Sequence, residues 1–238
     1  MTDAGKRRHE NQDSFMLSLT EESENSIFVV CDGMGGARAG DIASKLAVEA
    51  FMTFCQALFN MESEPLPEEV VAVAARQANS ELCQCSVTDP GCRGMGTTLV
   101  GGIYKSGRVA LVNVGDSRAY LVKDSAIEKI TTDHSLVEEL VKNGALTREQ
   151  AKTHPRKNVV TRALGVDPNV KVDVFTLDLS PGEILILCSD GLSNTMTDGE
   201  ILGLALAFPE PETLCQELLK LALERGAPDN VTALALTL

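Results

Sequence analysis

Four aspartates in this 238-residue chain share one local context. Phe28-Val29-Val30-Cys31 runs into Asp32 and then into Gly33, Gly35 and Gly36, and Leu185-Ile186-Leu187-Cys188 leads through Ser189 into Asp190-Gly191. Asn113-Val114-Gly115-Asp116 closes another apolar run, and Ala227-Pro228-Asp229-Asn230 opens the last one. Taken singly, an Asp beside Gly at a strand end is most simply an Asx turn. Taken together, the four become a chemical site if their strand ends meet at one edge of a sandwich. Carboxylates brought that close repel, and their pKa values rise unless cations lie between them. An all-oxygen set selects hard ions, Mg2+ or Mn2+, over zinc. Gly33, beside Asp32, lets a backbone carbonyl approach such an ion as well.

Other chemistries fail on spacing or composition. Gly33-Met34-Gly35-Gly36-Ala37-Arg38 has Arg where a dinucleotide fingerprint needs its third glycine, and no GxxxxGK[ST] run exists. A phosphoaspartyl role for Asp32 would go with a parallel α/β pattern, which is missing. The seven cysteines (31, 55, 83, 85, 92, 188, 215) are odd in number and lack a secretion signal, so they read as reduced thiols acting as small hydrophobes. Cys83, Cys85 and Cys92 cluster, but without a nearby His or a second CxxC they are a weak zinc signal. A net charge of -13, from 34 acids against 21 bases, excludes a broad grip on nucleic acid or an anionic membrane, so an anionic ligand needs something to invert the local field. Lys6-Arg7-Arg8-His9 is the only basic run near the N-terminus and reads by itself as a solvated surface. No apolar run approaches the roughly 18 residues of a membrane span, and Met1 to Asp13 has no signal-peptide core, so a cytoplasmic location is expected.

The elements that must position these residues follow from hydrophobic period. Asp13 to Leu19 and Ile27 to Cys31 have the content of two strands joined by the acidic segment Thr20 to Ser26. Ala43, Leu46, Ala47, Ala50, Phe51, Phe54 and Leu58 form one stripe of a helix starting near Gly40. Pro65 and Pro67 fit the first turn of a second helix, to about Cys85. From Thr97 the pattern is a meander, with strands TTLVGGIY, RVALVNV, SRAYLV and AIEKI expected as antiparallel neighbours turning at Lys105-Ser106-Gly107, Gly115-Asp116 and Lys123-Asp124. Asp133 to Leu164 is polar and broken by Gly144 and Pro155, and predicts short helices projecting as a lid or recognition flap. Strands are expected again at Val170 to Thr176, Glu183 to Cys188 and Asn230 to Leu238, with helices over about Asp198 to Ala207 and Pro211 to Arg225. The class is α+β, one domain over 1–238, with antiparallel sheets and helices packed outside.

The chain as a whole resembles the metal-dependent PPM/PP2C Ser/Thr protein phosphatases of the compact bacterial type. The likeness rests on Asp3-Ala4-Gly5-Lys6-Arg7-Arg8-His9-Glu10-Asn11-Gln12-Asp13, DGMGG at 32–36 with Ala39-Gly40, GMGTT at 94–98, GDSRAY at 115–120, DHS at 133–135, TRALG at 161–165, SDGL at 189–192 and PDN at 228–230, in family order. It implies a four-layer α-β-β-α sandwich with metals in a cleft at one end of the sheets. It also implies hydrolysis of phosphoserine and phosphothreonine in proteins, opposing a Ser/Thr kinase, by a metal-bridging hydroxide attacking phosphorus in line. By resemblance Asp32 bridges two Mn2+ or Mg2+ ions, Asp190 and Asp229 complete the first site, the Gly33 carbonyl serves the second, and Asp116 with Asp190 supports a third. Arg8 would receive the substrate phosphate and Asp13 would orient metal-bound water. The partners implied are phosphorylated proteins and a cognate kinase, with no nucleic acid or membrane, and a monomer is expected.

Three positions depart from the pattern. Gln12 stands where many members carry Glu, Met34 where eukaryotic relatives have His, and Ala37 where bacterial relatives commonly have His. With neither histidine donor present, His9 or His134 could reach the cleft or a metal-bound water could donate, although each of these histidines by itself reads as a surface residue. The departures motivate an alternative, a catalytically weak relative that binds or scaffolds phosphoproteins. The chain starts two residues before Asp3, so part of the first strand is expected to be missing or trimmed.

Overall fold

A computed structural model describes residues 1–20, 25–36, 39–59 and 65–238. One sheet runs β2 (Asp13–Thr20), β3 (Asn25–Met34), β5 (Leu99–Lys105), β6 (Arg108–Val114) and β9 (Asp173–Asp178), with the two-residue β4 (Gly96–Thr97) paired to β3. The other runs β1 (Thr2–Asp3), β11 (Val231–Thr237), β10 (Ile184–Cys188), β7 (Arg118–Lys123) and β8 (Ala126–Lys129). The pairings are antiparallel. Helices α1 (Ala39–Phe59) and α2 (Pro67–Thr88) cover the first sheet, and α6 (Asp198–Ala207) and α7 (Pro211–Glu224) the second. Between β8 and β9 lie α3 (Leu136–Lys142) and α4 (Arg148–Lys152), and α5 (Asp190–Ser193) is a single turn after β10.

The apolar runs are unbroken because the central strands are covered on both faces. Along β3, Ile27, Val29 and Cys31 face α1 and α2, while Phe28 and Val30 fill the layer between the sheets. β10 repeats the scheme, with Ile184, Ile186 and Cys188 turned to α7 and Leu185 and Leu187 to the inter-sheet layer. The result is the α-β-β-α sandwich that the resemblance implied. Each such fully buried Leu, Ile or Val contributes roughly 1.5–3 kcal/mol by removal from water.

Several expectations need correction. The meander divides between the sheets: β6 pairs with β5 and β9, and β7 with β10 and β8, so β6 and β7 are not neighbours. At Gly115 (φ +115°) the chain steps across to the second sheet instead of turning back, and a hairpin and a step of this length read alike in sequence. Asp32 lies inside β3, which continues to Met34. The strand expected at Val170 to Thr176 begins at Asp173, with Val170 and Val172 half-buried against the α1–α2 layer, and α2 runs to Thr88. The β2–β3 hairpin is formed, its connection at 21–24 lying outside the described residues. The short first strand expected around Asp3 is β1, whereas β4 and α5 have no counterpart in the sequence pattern.

At the cleft end, backbone packs on backbone within each half of the sandwich. A Cβ at Gly191 would lie 1.8 Å from the Asn230 carbonyl oxygen, and one at Gly33 would lie 2.0 Å from that of Gly40. Gly199, in the first turn of α6, has nothing within 4 Å of such a carbon. Gly191→Ala should therefore lose more than about 2 kcal/mol of unfolding free energy, whereas Gly199→Ala should gain up to about 1 kcal/mol from helix propensity; urea denaturation of the two variants checks the contrast.

Candidate metal centre

Strand parity decides where the acids point. Asp32 shares the face of Phe28 and Val30, so it emerges at the open end of the inter-sheet layer. Asp13, opposite it in register on β2, joins from the edge. From the second sheet come Asp190, the first residue of α5, and Asp229, just ahead of β11, while Asp116 sits on the step between β6 and β7. Burial, ahead of repulsion from Asp13, Asp190, Asp116 and Asp229, pushes the Asp32 carboxyl well above the usual carboxylate range. Burial and then Asp229 push Asp190 up, with the Asp32 carboxyl in hydrogen-bonding reach. Burial and then Asp190 raise Asp116 to about 7. Asp13 is raised to about 6 by burial, against the hydrogen bonds it accepts. Asp32 thus feels the other four acids, which come from both sheets. Arg8 is brought in as well, its Nη2 donating to Asp229 Oδ2 at 2.9 Å from a side chain that is 55% exposed.

Hydroxyls and amides hold the cluster's supports. Asp13 Oδ2 accepts from Ser189 Oγ and Thr232 Oγ1, both at 2.7 Å, which ties β2 to the second sheet. Asp13 Oδ1 is buried with no hydrogen-bond partner. The Asp32 backbone is clamped by the GMGTT segment: Asp32 N–H donates to Thr98 Oγ1, and Thr97 Oγ1 and Thr98 N–H donate to the Asp32 carbonyl, each at 2.9 Å. Buried Asn230 secures the N-terminal loop, its Oδ1 accepting from Gln12 N–H and its Nδ2 donating to the Ala4 and Glu10 carbonyls. Sequence reasoning missed Thr97, Thr98, Ser189 and Asn230 as supports, although each lies in or beside a quoted motif.

Of His9 and His134, each expected at the surface, the first is exposed and the second is not. His134 is buried, and its Nδ1 accepts from Gly115 N–H at 2.9 Å, so the neutral ring carries its proton on Nε2 and donates to Asp173 Oδ2 at 3.1 Å. Burial lowers its pKa, as does Arg162 beside it. It therefore fixes the β6–β7 step and is no cleft acid or surface residue, whereas His9 is exposed on its loop. Arg118, also missed, grips buried Asp133 from Nε and Nη2 at 2.7–3.1 Å and lies close enough to pull down both Asp116 and Asp190. Gln12 packs its amide against Gly40, and Met34 pairs with Gly96. Ala37 lies outside the described residues.

Do these residues suit a cation? Among the described residues, no three Asp, Glu, His or Cys side chains already form a finished ligand group. Arg8 is engaged with Asp229. The donor set nonetheless fits a hard divalent ion in chemistry: oxygen only, raised pKa values that a cation would lower, and one buried oxygen lacking any partner. Cys83 turns toward Asn79, away from Cys85 and Cys92, which removes the third ligand that zinc would need. From Asp116 and Asp190 a groove of about 690 Å³ leads outward between α3 and α4 on one side and residues 193–200 on the other.

A family model for protein phosphatase 2C matches residues 4–224. The serine/threonine phosphatase stp of Listeria monocytogenes serotype 4b is 36% identical over 234 residues, covering 98% of this chain and 92% of its own. The structure of the Streptococcus agalactiae serine/threonine phosphatase superposes with a TM-score of 0.90 at 33% identity, covering 100% of this chain and 98% of its own. The catalytic domain of the serine/threonine protein phosphatase PstP, solved in complex with two manganese ions, superposes with a TM-score of 0.84 at 34% identity over 99% of this chain and 94% of that one.

Acids whose pKa is higher folded than unfolded bind extra protons in the folded state, so their destabilising effect grows as pH rises through the folded value. With Asp116 at about 7 and Asp13 at about 6, against about 3.9 unfolded, chelator-treated protein should melt at a higher temperature at pH 6 than at pH 8. Adding Mn2+ should flatten that slope, and Asp116→Asn should raise the pH 8 melting temperature of chelated protein, all measurable by scanning calorimetry.

Proposed function

The chain belongs to the protein phosphatase 2C family and is a serine/threonine protein phosphatase, and we propose that it removes phosphate from phosphoserine and phosphothreonine in proteins, opposing a Ser/Thr kinase. One observation carries this reading: acids from both sheets converge beside the exposed guanidinium of Arg8. Asp32, Asp190 and Asp229, with the Gly33 carbonyl, would hold two Mn2+ or Mg2+ ions, and Asp116 with Asp190 a third. When bound, such ions make water nucleophilic at neutral pH and neutralise phosphoryl charge.

The chain's own residues do the rest. Arg8 presents a planar fork that binds two phosphate oxygens at once, where a lysine would offer a point charge. Its exposure and single bond to Asp229 let it exchange a carboxylate for the arriving phosphate. Asp13, fixed by Ser189 and Thr232, keeps its second oxygen aimed into the centre to accept a proton or orient water. The groove between α3–α4 and the α5–α6 turn suits the polypeptide on either side of the phosphorylated residue, so residues 133–164 act as a substrate-reading flap. Its walls carry both signs, with Arg148, Lys152 and Lys157 set against Glu138 and Glu149. The same reading places the protein in the cytoplasm as a monomer; among the described residues no helix is long and apolar enough to cross a membrane.

Turnover of a phosphopeptide with Mn2+ should disappear on chelation and fall on the order of 100-fold in Asp190→Asn and in Arg8→Ala, with Arg8→Lys recovering only part. A wild-type rate no higher than that of Asp190→Asn would instead favour a phosphoprotein-binding role, which Gln12 and Met34 motivate. Replacing residues 143–153 by a short Gly-Ser link should reduce phosphoprotein turnover by at least about tenfold more than that of an aryl phosphate; equal losses on both would remove the flap from substrate reading.

A further inference from the structure

Cys85, near the end of α2, and Cys92, in the turn Pro90–Cys92, bring their sulfurs to 2.7 Å. They belong to separate elements joined by a short bend that Asp89 sets by accepting from Gly91 N–H. Cys85 is half-buried and Cys92 is 2% exposed, so one thiol meets solvent while its neighbour is sheltered. Cys83, two positions earlier on the same helix, points the other way and lies 3.9 Å from Asn79 Oδ1. Cys31 and Cys55 are buried in the same α1–α2 core as Cys92, Cys188 and Cys215 are buried in the core that α7 covers, and none of the four forms a sulfur–sulfur contact among the described residues. The contact with Cys85, ahead of burial, pushes the Cys92 thiol up to about 11.

We propose that Cys85 and Cys92 are a peroxide-responsive pair that closes to a reversible disulfide, stapling α2 to the segment that clamps Asp32. Cys85 Sγ attacks one oxygen of hydrogen peroxide and becomes a sulfenic acid, the O–O bond breaks, and the departing hydroxide takes the Cys85 proton to give water. Cys92 Sγ then attacks the sulfenic sulfur, the S–S bond forms, and the second hydroxide leaves with the Cys92 proton as a second water. Two thiols are oxidised and one peroxide is reduced. Met95 N–H bonds to the Cys92 carbonyl, and two residues later Thr97 holds the Asp32 carbonyl. The bridge therefore shortens the unfolded-state freedom of the chain immediately ahead of the centre.

The full chain, reduced, desalted and kept in chelator so that metal occupancy does not enter, is treated with a small excess of hydrogen peroxide and mapped by mass spectrometry after thiol blocking. The expected product is one disulfide joining the Cys85 and Cys92 peptides, reversed by dithiothreitol and missing in Cys85→Ser. Oxidised wild type should melt roughly 5 °C higher than reduced, a shift that Cys85→Ser does not show, with slower amide exchange over residues 93–98. A bridge involving Cys83, over-oxidation of Cys85 to sulfinic acid without a bridge, or the same melting shift in Cys85→Ser would each overturn the assignment. None of these readouts depends on phosphatase activity.

Discussion

Carboxylates gathered out of bulk water destabilise a fold whenever they are charged, and the rest of this molecule is arranged around tolerating five of them at one place. They come from both sheets, so the sandwich itself forces the encounter: β2 and β3 deliver Asp13 and Asp32, the ends of β6 and β10 deliver Asp116 and Asp190, and the start of β11 delivers Asp229. The packed inter-sheet layer of Phe28, Val30, Leu111, Leu185 and Leu187 supplies the favourable free energy that holds those ends together. Backbone atoms then close the space so tightly that neither Gly33 nor Gly191 can carry a side chain.

That arrangement also explains how a chain with net charge -13 can act on an anion. The acids alone would repel a phosphate, and the solvent-exposed pairing of Arg8 with one carboxylate is weak by itself. Divalent cations in the proposed site would reverse the sign of the local field while leaving the surface acidic. In the proposed reading Arg8 would pass from neutralising Asp229 to binding phosphate without moving away from the cluster. The packing reason for Gly33 and its proposed carbonyl contact with an ion are compatible, since a residue barred from bearing a side chain is also one whose main chain lies open.

Much of this was legible in the sequence because the signals were local. Asp32-Gly33 and Asp190-Gly191 each followed a hydrophobic run, the apolar stripe of α1 had helical period, and Asn143-Gly144 ended α3 with Gly144 at positive φ. What was not legible depended on partners distant in the chain. Gly115-Asp116 reads as a hairpin turn, and only the competition of β9 and β10 for the edges of β6 and β7 makes it a step between sheets. His134 looked like a spare imidazole because its partners, Gly115, Arg162 and Asp173, lie 19 to 39 positions away in the chain. The Arg118–Asp133 grip and the Asn230 bridge to Ala4 and Glu10 were hidden for the same reason.

The segment between β8 and β9 follows different physics. Neither α3 nor α4 buries a residue, and each depends on local caps: Ser135 for α3 and the Thr147–Gln150 box for α4. Its two ends, by contrast, are locked into the centre. At the first, His134 N–H bonds to the Gly115 carbonyl and its ring returns to Gly115 N–H; at the second, Leu164 exchanges both backbone hydrogen bonds with Thr97. Thr97 also holds the Asp32 carbonyl, and Gly115 precedes Asp116. A segment with little core of its own but rigid roots can open at its tip with small loss of buried surface while its base stays in register with the acids. Motion of the outer helices and placement of the carboxylates are thereby separated mechanically, so a surface able to adapt to different polypeptides can border a centre whose geometry must not change.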